Sequence, residues 1–197
     1  MTTWKQALRE GLVSGTVAAV LSATYMAWRG QQRGTPAAPI NAVSHWLFGD
    51  ESLERDEPSV RHTLTGFAVH HGAAIFWGVL HARFWGARPE AKRPLPALAG
   101  GLAASAVACF VDYQLTPRRL QPGYENRLSH RELTGVYAWF GVGLAAGSLL
   151  MRRSQQRERE RQLQRQEVHA MHAEQALRPV VPADPLEPIG FMPESRR

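Results

Sequence analysis

The stretch GLVSGTVAAVLSATYMAW, residues 11–28, contains no charged side chain and is followed directly by Arg29. An α-helix rises about 1.5 Å per residue, so about 20 residues of this kind cross the hydrocarbon core of a bilayer. Lys5 and Arg9 also fit the basic start of a signal peptide. The apolar run is long for a signal peptide and further apolar runs follow it, which favours a retained membrane-spanning helix.

Three later stretches repeat this apolar pattern, at residues 62–82, 96–111 and 133–151, and each is followed directly by a charged residue. The stretch at 96–111 is the shortest, which is typical of a tilted or partly buried span. A soluble helical bundle with a buried core is the structural alternative. We predict an all-α fold in which residues 1–151 form a four-helix transmembrane bundle.

Small residues recur at intervals of four positions within three of these four stretches, which places them on one face of each helix. Such faces let helices in a membrane approach closely. Spans rich in alanine and glycine also show this spacing by chance. The residues are Gly11, Gly15 and Ala19, then Gly101 and Ser105, then Gly143 and Gly147. The last pair is a candidate surface for forming a homodimer.

The segments outside the four stretches predict a short helix, a charged helix and a tail. In the first loop, Asn41 is suited to cap a short apolar helix ending at Gly49, which would be interfacial or fold back on the bundle. Ser129 and Glu132 fit a capping box that opens the fourth helix. Residues 152–177 predict a charged cytoplasmic helix, and the proline-rich residues 178–197 predict a disordered tail.

The charge pattern indicates that the basic residues face a membrane surface. It does not favour binding to nucleic acid. The chain of 197 residues has a net charge of +6 and a mean hydropathy of −0.29, yet most arginines and lysines flank the apolar stretches. This pattern is typical of proteins seated against anionic headgroups. The basic residues on the two sides balance until the arginine-rich segment after Met151 is counted. The positive-inside rule then places both termini in the cytoplasm and both long loops outside. A single cysteine, Cys109, excludes an intrachain disulfide.

Polar residues of the second stretch fall on one helix face, together with small residues. Asp112, at the end of the third stretch, shares a face with Gly101 and Ser105. Ionisable residues inside a span are costly and are candidates for function. We therefore predict that His70 and Asp112 both point into one bundle interior. The stripe of the second stretch comprises Thr63, Gly66, His70, Ala74, Trp77 and His81.

The predicted topology brings further polar residues to the non-cytoplasmic mouth of the bundle. Imidazole and carboxylate groups there would suit a divalent metal ion or a proton relay. The candidate metal ligands are His45, His62, His70, Asp112 and His130, and the other polar candidates are His71, His81, Arg118, Arg119 and Glu125. Two alternatives stay open: His70 as a buried neutral histidine, and Asp112 as the partner of Arg118 or Arg119 in an ion pair.

Other cofactors find no support in the sequence. There is no HxxxH, HExxH or CxxC spacing, no phosphate loop and no dinucleotide fingerprint. Haem in a helix bundle is usually held by histidines from facing helices, whereas His70, His71 and His81 all lie in one stretch. We expect no haem and no nucleotide.

The block PINAVSHWLFG, residues 39–49, is followed by a span with a central His70. This arrangement resembles uncharacterised bacterial inner-membrane proteins of the YagU-like kind, which carry a proline–asparagine block after the first of several spans. The resemblance covers about the first half of the chain and does not extend to the loop LTPRRL at residues 115–120. It implies a bacterial inner-membrane location and no established reaction, and it transfers no catalytic residues.

The sequence leaves three functions open. Because no catalytic signature is present, we expect a non-enzymatic envelope or accessory membrane protein whose partners are the lipid bilayer and either a second copy or another membrane protein. The first alternative is a metal-assisted membrane enzyme that uses the histidine and aspartate cluster. The second is a proton-coupled transporter in which His70 titrates.

Overall fold

The computed structural model describes residues 2–177, and within them the chain is helical and contains no strand. We number the α-helices in chain order. They are α1 Trp4–Gln31, α2 Ala38–Val43, α3 His45–Phe48, α4 Thr65–His81, α5 Pro94–Phe110 and α6 His130–Leu177. The chain divides into two compact units, Met1–Gln156 and Arg157–Arg197. The predicted disordered tail at 178–197 lies outside the described residues.

Four helical segments among residues 2–177 are long and apolar enough to cross a membrane: Trp4–Gln31, Val60–Gly86, Pro94–Leu115 and His130–His172. Short π-helical turns extend two of these helices. They lengthen α4 at both ends, at Val60–Leu64 and Ala82–Gly86, and α5 at its C-terminal end, at Val111–Leu115. Large apolar side chains such as Val20, Phe76 and Phe110 are exposed, as expected for helices that face lipid. The chain is a multi-pass membrane protein, and the predicted all-α four-helix class is confirmed.

Helix α1 begins earlier than the apolar stretch predicts. The Thr3 hydroxyl accepts a hydrogen bond from the Gln6 amide at 3.2 Å and so caps a helix that starts at Trp4. The segment 4–10 is therefore helical although it carries charged side chains. As a result, Glu10 belongs to the first membrane-spanning helix and is 1 % exposed.

The predicted small-residue faces are where the helices touch. A Cβ atom added at Gly78 of α4 would lie 2.6 Å from the carbonyl oxygen of Gly11 in α1. A Cβ atom at Gly101 of α5 would lie 2.3 Å from the carbonyl oxygen of Gly141 in α6. At these distances no side chain fits, so glycine permits backbone contact between α1 and α4 and between α5 and α6.

The Gly143 and Gly147 face lies inside the bundle. A Cβ atom at Gly143 would lie 2.8 Å from the Ala18 backbone nitrogen, and one at Gly147 would lie 2.9 Å from the Ser14 Cβ atom. This face of α6 is therefore occupied by α1. The prediction that it serves as a dimer surface is wrong, because its close approach is used within the chain.

The first loop folds back onto the bundle, where α2 packs against α1 and α4. It forms α2 and α3, and Asn41 is fully buried in the interior of α2. The prediction that Asn41 caps this helix is wrong. Its side chain instead donates to the Arg55 and Glu57 carbonyl oxygens, both at 3.0 Å, and accepts from the Thr63 hydroxyl at 2.6 Å. One buried amide thus holds the loop against the start of the second span.

Helix α6 begins directly after Ser129, as predicted, and the glutamate half of the capping box is formed. The Glu132 carboxylate accepts from the Ser129 amide and from the Ser129 hydroxyl, each at 2.8 Å. It also accepts from Arg29 at 2.8 Å and from Arg33 at 2.6 Å. Both arginines come from the end of α1 and the turn that follows it, so this carboxylate joins the first and last spans.

Candidate functional site

A cavity of about 470 Å³ lies between α4, α5 and α6, and the loop before α6 covers it. Most of its wall is apolar, including Val69, Trp77 and Phe140. Both His70 and Asp112 line it, so the structure places them in one bundle interior, as predicted. We refer to this space as the α4–α5 cavity. Its other polar lining side chains are Thr116, Tyr124 and Tyr137.

A chain of hydrogen bonds ends on the Asp112 carboxylate. The Tyr124 hydroxyl donates to the Tyr137 hydroxyl at 3.1 Å, and Tyr137 donates to Asp112 Oδ2 at 2.6 Å. Burial, with Asp112 nearby, raises the pKa of Tyr124 well above its usual range, so this phenol stays protonated and remains a donor. Two phenol groups in series thus point their hydroxyl hydrogens toward one carboxylate.

The Asp112 carboxylate has no cationic partner among residues 2–177. Arg119, one of the two arginines considered for it, donates instead to the carbonyl oxygens of His45 and Trp46, at 2.6 and 3.2 Å. Arg118, the other, is exposed. The alternative of an ion pair between Asp112 and one of these arginines is therefore wrong, because Arg119 donates to backbone carbonyl oxygens and no ion pair joins Arg118 to Asp112.

His70 is held at the cavity wall by α1. Its Nε2 atom lies 2.9 Å from the Ser22 hydroxyl oxygen, and that hydroxyl donates its single hydrogen to the Ala18 carbonyl oxygen at 2.8 Å. Because the Ser22 hydrogen is used in this way, the His70 Nε2–H is the donor to the Ser22 oxygen. The His70 ring also lies edge-on to Tyr124, with ring centroids 6.5 Å apart. The alternative of a buried, hydrogen-bonded histidine describes this contact.

The structure does not gather the predicted metal ligands into one group. His45 Nδ1 lies 2.8 Å from the Ala42 carbonyl oxygen, and His62 Nδ1 lies 3.1 and 3.2 Å from the hydroxyls of Ser44 and Ser52. Within the part of the chain that the structure describes, no three histidine, cysteine, aspartate or glutamate side chains stand together as metal ligands would. Each histidine is used locally, because the folded first loop supplies a closer partner.

The remaining predicted residues are also separate from the cavity. His130 is exposed at the start of α6. His71 Nε2 lies 2.9 Å from the Thr16 hydroxyl on another face of α4. Glu125 accepts from the Tyr113 hydroxyl at 3.4 Å, just outside the lining set. Of the predicted metal ligands and other polar candidates, only His70 and Asp112 line the α4–α5 cavity.

The sequence analysis missed a buried ion pair, which lies beyond the C-terminal end of α4. Lys92 Nζ lies 2.5 Å from Glu10 Oε2, and the two side chains are 9 % and 1 % exposed. Lys92 Nζ also lies 3.3 Å from the Ser148 carbonyl oxygen, and Arg152 donates to the Lys92 carbonyl oxygen at 2.6 Å. The pair therefore joins α1, the loop before α5 and α6.

His81 lies on the same side of the molecule as this ion pair. It is 4 % exposed, and neither of its ring nitrogens has a hydrogen-bond partner among residues 2–177. A Cβ atom added at Gly86 would lie 2.6 Å from the His81 ring and 3.0 Å from the Ser148 hydroxyl oxygen. The side chain thus packs near the ion pair and does not line the α4–α5 cavity.

One signal in the sequence identifies Glu10 in retrospect. It lies four positions before Ser14 and eight before Ala18, on the stripe that becomes the buried face of α1. A carboxylate on such a stripe requires a buried partner. No comparable signal marks Lys92, which stands in a loop between charged and proline residues. Its partner is determined only by how the spans pack.

Comparison with known proteins adds nothing to this geometry: no family model, no curated protein and no solved structure matches the chain. The resemblance to the YagU-like proteins stays a prediction.

Proposed function

We propose that this chain is a non-enzymatic membrane protein that binds an amphipathic cation in the α4–α5 cavity. The observation that carries the proposal is the Asp112 carboxylate, which lines a mostly apolar cavity and has Tyr137 but no cation as a partner among residues 2–177. A carboxylate withdrawn from water is costly unless an opposite charge accompanies it. A cationic ligand would supply that charge.

The rest of the cavity suits the apolar part of such a ligand. Its volume of about 470 Å³ is within the range common for small-molecule sites, which are mostly apolar with a few placed polar groups. Trp77, Phe140 and Tyr137 contribute aromatic rings to the cavity wall, and Tyr137 also contacts Asp112. Aromatic faces attract organic cations, and more strongly where water is excluded.

The bilayer itself offers an entry route. Phe76 and Gly72 line the cavity and are also exposed on the outer surface of α4. In a membrane that surface faces lipid. We infer that an amphipathic ligand dissolved in the bilayer reaches Asp112 from the side, between α4 and α5.

Calorimetric titration of the full chain in detergent with tetraphenylphosphonium, a permanent lipophilic cation, tests the proposal. We expect Asp112→Asn to weaken binding by about tenfold or more, since a charge-assisted contact is lost. Glu125→Gln removes a nearby carboxylate that does not line the cavity, and we expect it to bind like the wild type. Unchanged binding by Asp112→Asn, or no binding by the wild type, contradicts the proposal.

A proton-coupled transporter is the second candidate, and it is favoured by one observation. His70 and Asp112, two groups able to exchange protons, line the same cavity. In vesicles holding the full chain, an imposed pH gradient would then drive uptake of the cation, and His70→Gln would abolish the dependence on pH. Uptake that does not depend on the pH gradient excludes a transporter of this kind. It does not contradict the proposal that the cavity binds a cation.

For location we propose the bacterial inner membrane, with both termini in the cytoplasm. The support is the arginine-rich segment after Met151 together with the resemblance of residues 39–49 to YagU-like proteins. Reporter fusions after Met151 and after Asp50 are expected to report opposite sides of the membrane. The same side for both, or an external Met151 fusion, overturns this topology.

A further inference from the structure

A second concave site lies at the end of the bundle where α1 begins and the second span ends. Its volume is about 770 Å³. Two arginines, Arg83 and Arg88, line it, together with the polar side chains of Thr2 and Gln6. We call it the arginine pocket. It lies away from the α4–α5 cavity, with which it shares no lining residue.

Neither arginine of this pocket is paired with a carboxylate among residues 2–177. Arg83 is half-buried, and its Nε atom is withdrawn from solvent without a hydrogen-bond partner. Its guanidinium carbon lies 5.2 Å from the centre of the Trp4 ring and 5.8 Å from that of Phe84. Ring contacts orient this cation. The two terminal nitrogens of its guanidinium group have no hydrogen-bond partner among residues 2–177, and these are the donors that can meet an anion.

The pocket lies at the level where a headgroup would be found. Arg83 is the first charged residue after the apolar stretch at 62–82. Trp4 and Phe84 are 60 % and 62 % exposed beside it. Exposed aromatic rings next to arginines at the end of a span are typical of the membrane–water interface.

We propose that the arginine pocket binds the phosphate group of an anionic phospholipid. Arg83 and Arg88 hold the phosphate oxygens by charge-assisted hydrogen bonds, which a guanidinium fork matches well. Thr2 and Gln6 offer polar contacts to the rest of the headgroup. The acyl chains extend along the exposed apolar side chains of α1, such as Leu8 and Leu12. Basic pockets between spans on the cytoplasmic side bind lipid headgroups in this way.

Native mass spectrometry of the delipidated full chain, offered dioleoylphosphatidylglycerol or dioleoylphosphatidylcholine, tests this proposal. We expect the wild type to retain the anionic lipid about tenfold better, and Arg83→Gln/Arg88→Gln to lose that preference. Arg93→Gln/Arg153→Gln removes the same charge from two exposed arginines near the same side and is expected to keep it. Arg88→Gln alone, at an exposed position, gives a variant whose folding is not in question and should lose part of the preference.

Three outcomes overturn the proposal. The first is equal retention of the two lipids by the wild type. The second is an equal loss in the control double variant, which would mean that net charge alone attracts the lipid. The third is displacement of the lipid by excess inorganic phosphate, which would identify a site for the free anion.

Discussion

At the scale of single residues, the most consequential contact is the ion pair between Glu10 and Lys92. Both side chains are buried, and the contact joins residues 82 positions apart in the chain. Removing one partner of such a pair leaves an uncompensated charge, whereas removing both leaves only a packing change. A single substitution in this pair should therefore destabilise the protein more than the double substitution does.

We predict that Lys92→Met lowers the free energy of unfolding by about 3–5 kcal/mol, with a similar loss for Glu10→Gln. The double variant Glu10→Gln/Lys92→Met should recover much of that loss, because neither charge remains. Unfolding in mixed micelles of dodecyl sulfate, analysed as a double-mutant cycle, measures the coupling. Additive losses in the double variant would show that the two charges do not interact.

At the scale of the elements, the helices are held by backbone contact at small residues. Gly78 of α4 meets Gly11 and Gly15 of α1, and a Cβ atom at Gly78 would lie 2.6 Å from a backbone oxygen. Gly72 lies in the same helix with nothing within 4 Å of an added Cβ atom. Both glycines are in one α-helix, but only Gly78 is packed against a neighbouring helix.

Gly78→Ala is expected to destabilise the bundle by about 1–3 kcal/mol, because α1 and α4 must move apart. Gly72→Ala is the matched control, and we expect it to be neutral or to stabilise by up to about 1 kcal/mol through helix propensity. Thermal unfolding in one detergent compares the two variants. Equal effects of the two substitutions would mean that helix propensity, and not close packing, decides the result.

At the scale of the whole molecule, the first and last spans are joined at a single carboxylate. Glu132 is 4 % exposed and contacts Arg29, Arg33 and Ser129. Arg33 is 45 % exposed, so its share of the stabilisation is reduced by solvent screening. Arg29, at 27 % exposed, makes the more protected of the two arginine contacts, and it joins the start of α6 to the end of α1.

Glu132→Gln is expected to lower the free energy of unfolding by about 1–3 kcal/mol, through the loss of charge-assisted hydrogen bonds. Glu54→Gln removes a charge from an exposed site in the first loop and should change stability by less than about 0.5 kcal/mol. Chemical unfolding of both variants in detergent provides the comparison. A loss no larger than that of the control would show that solvent screens the whole cluster.

The number and class of the spans followed from the sequence alone, because hydropathy and helical periodicity are local properties of residues such as those at 11–28. The small-residue faces and the capping pair Ser129 and Glu132 were predictable for the same reason. The partners of polar side chains were not, since each is chosen by helices far apart in the chain. Only the tertiary structure paired Glu10 with Lys92, turned Arg119 toward backbone carbonyls and left Asp112 with Tyr137 on a cavity wall. A buried charge takes whichever partner the packing brings within reach, and that choice is made in three dimensions.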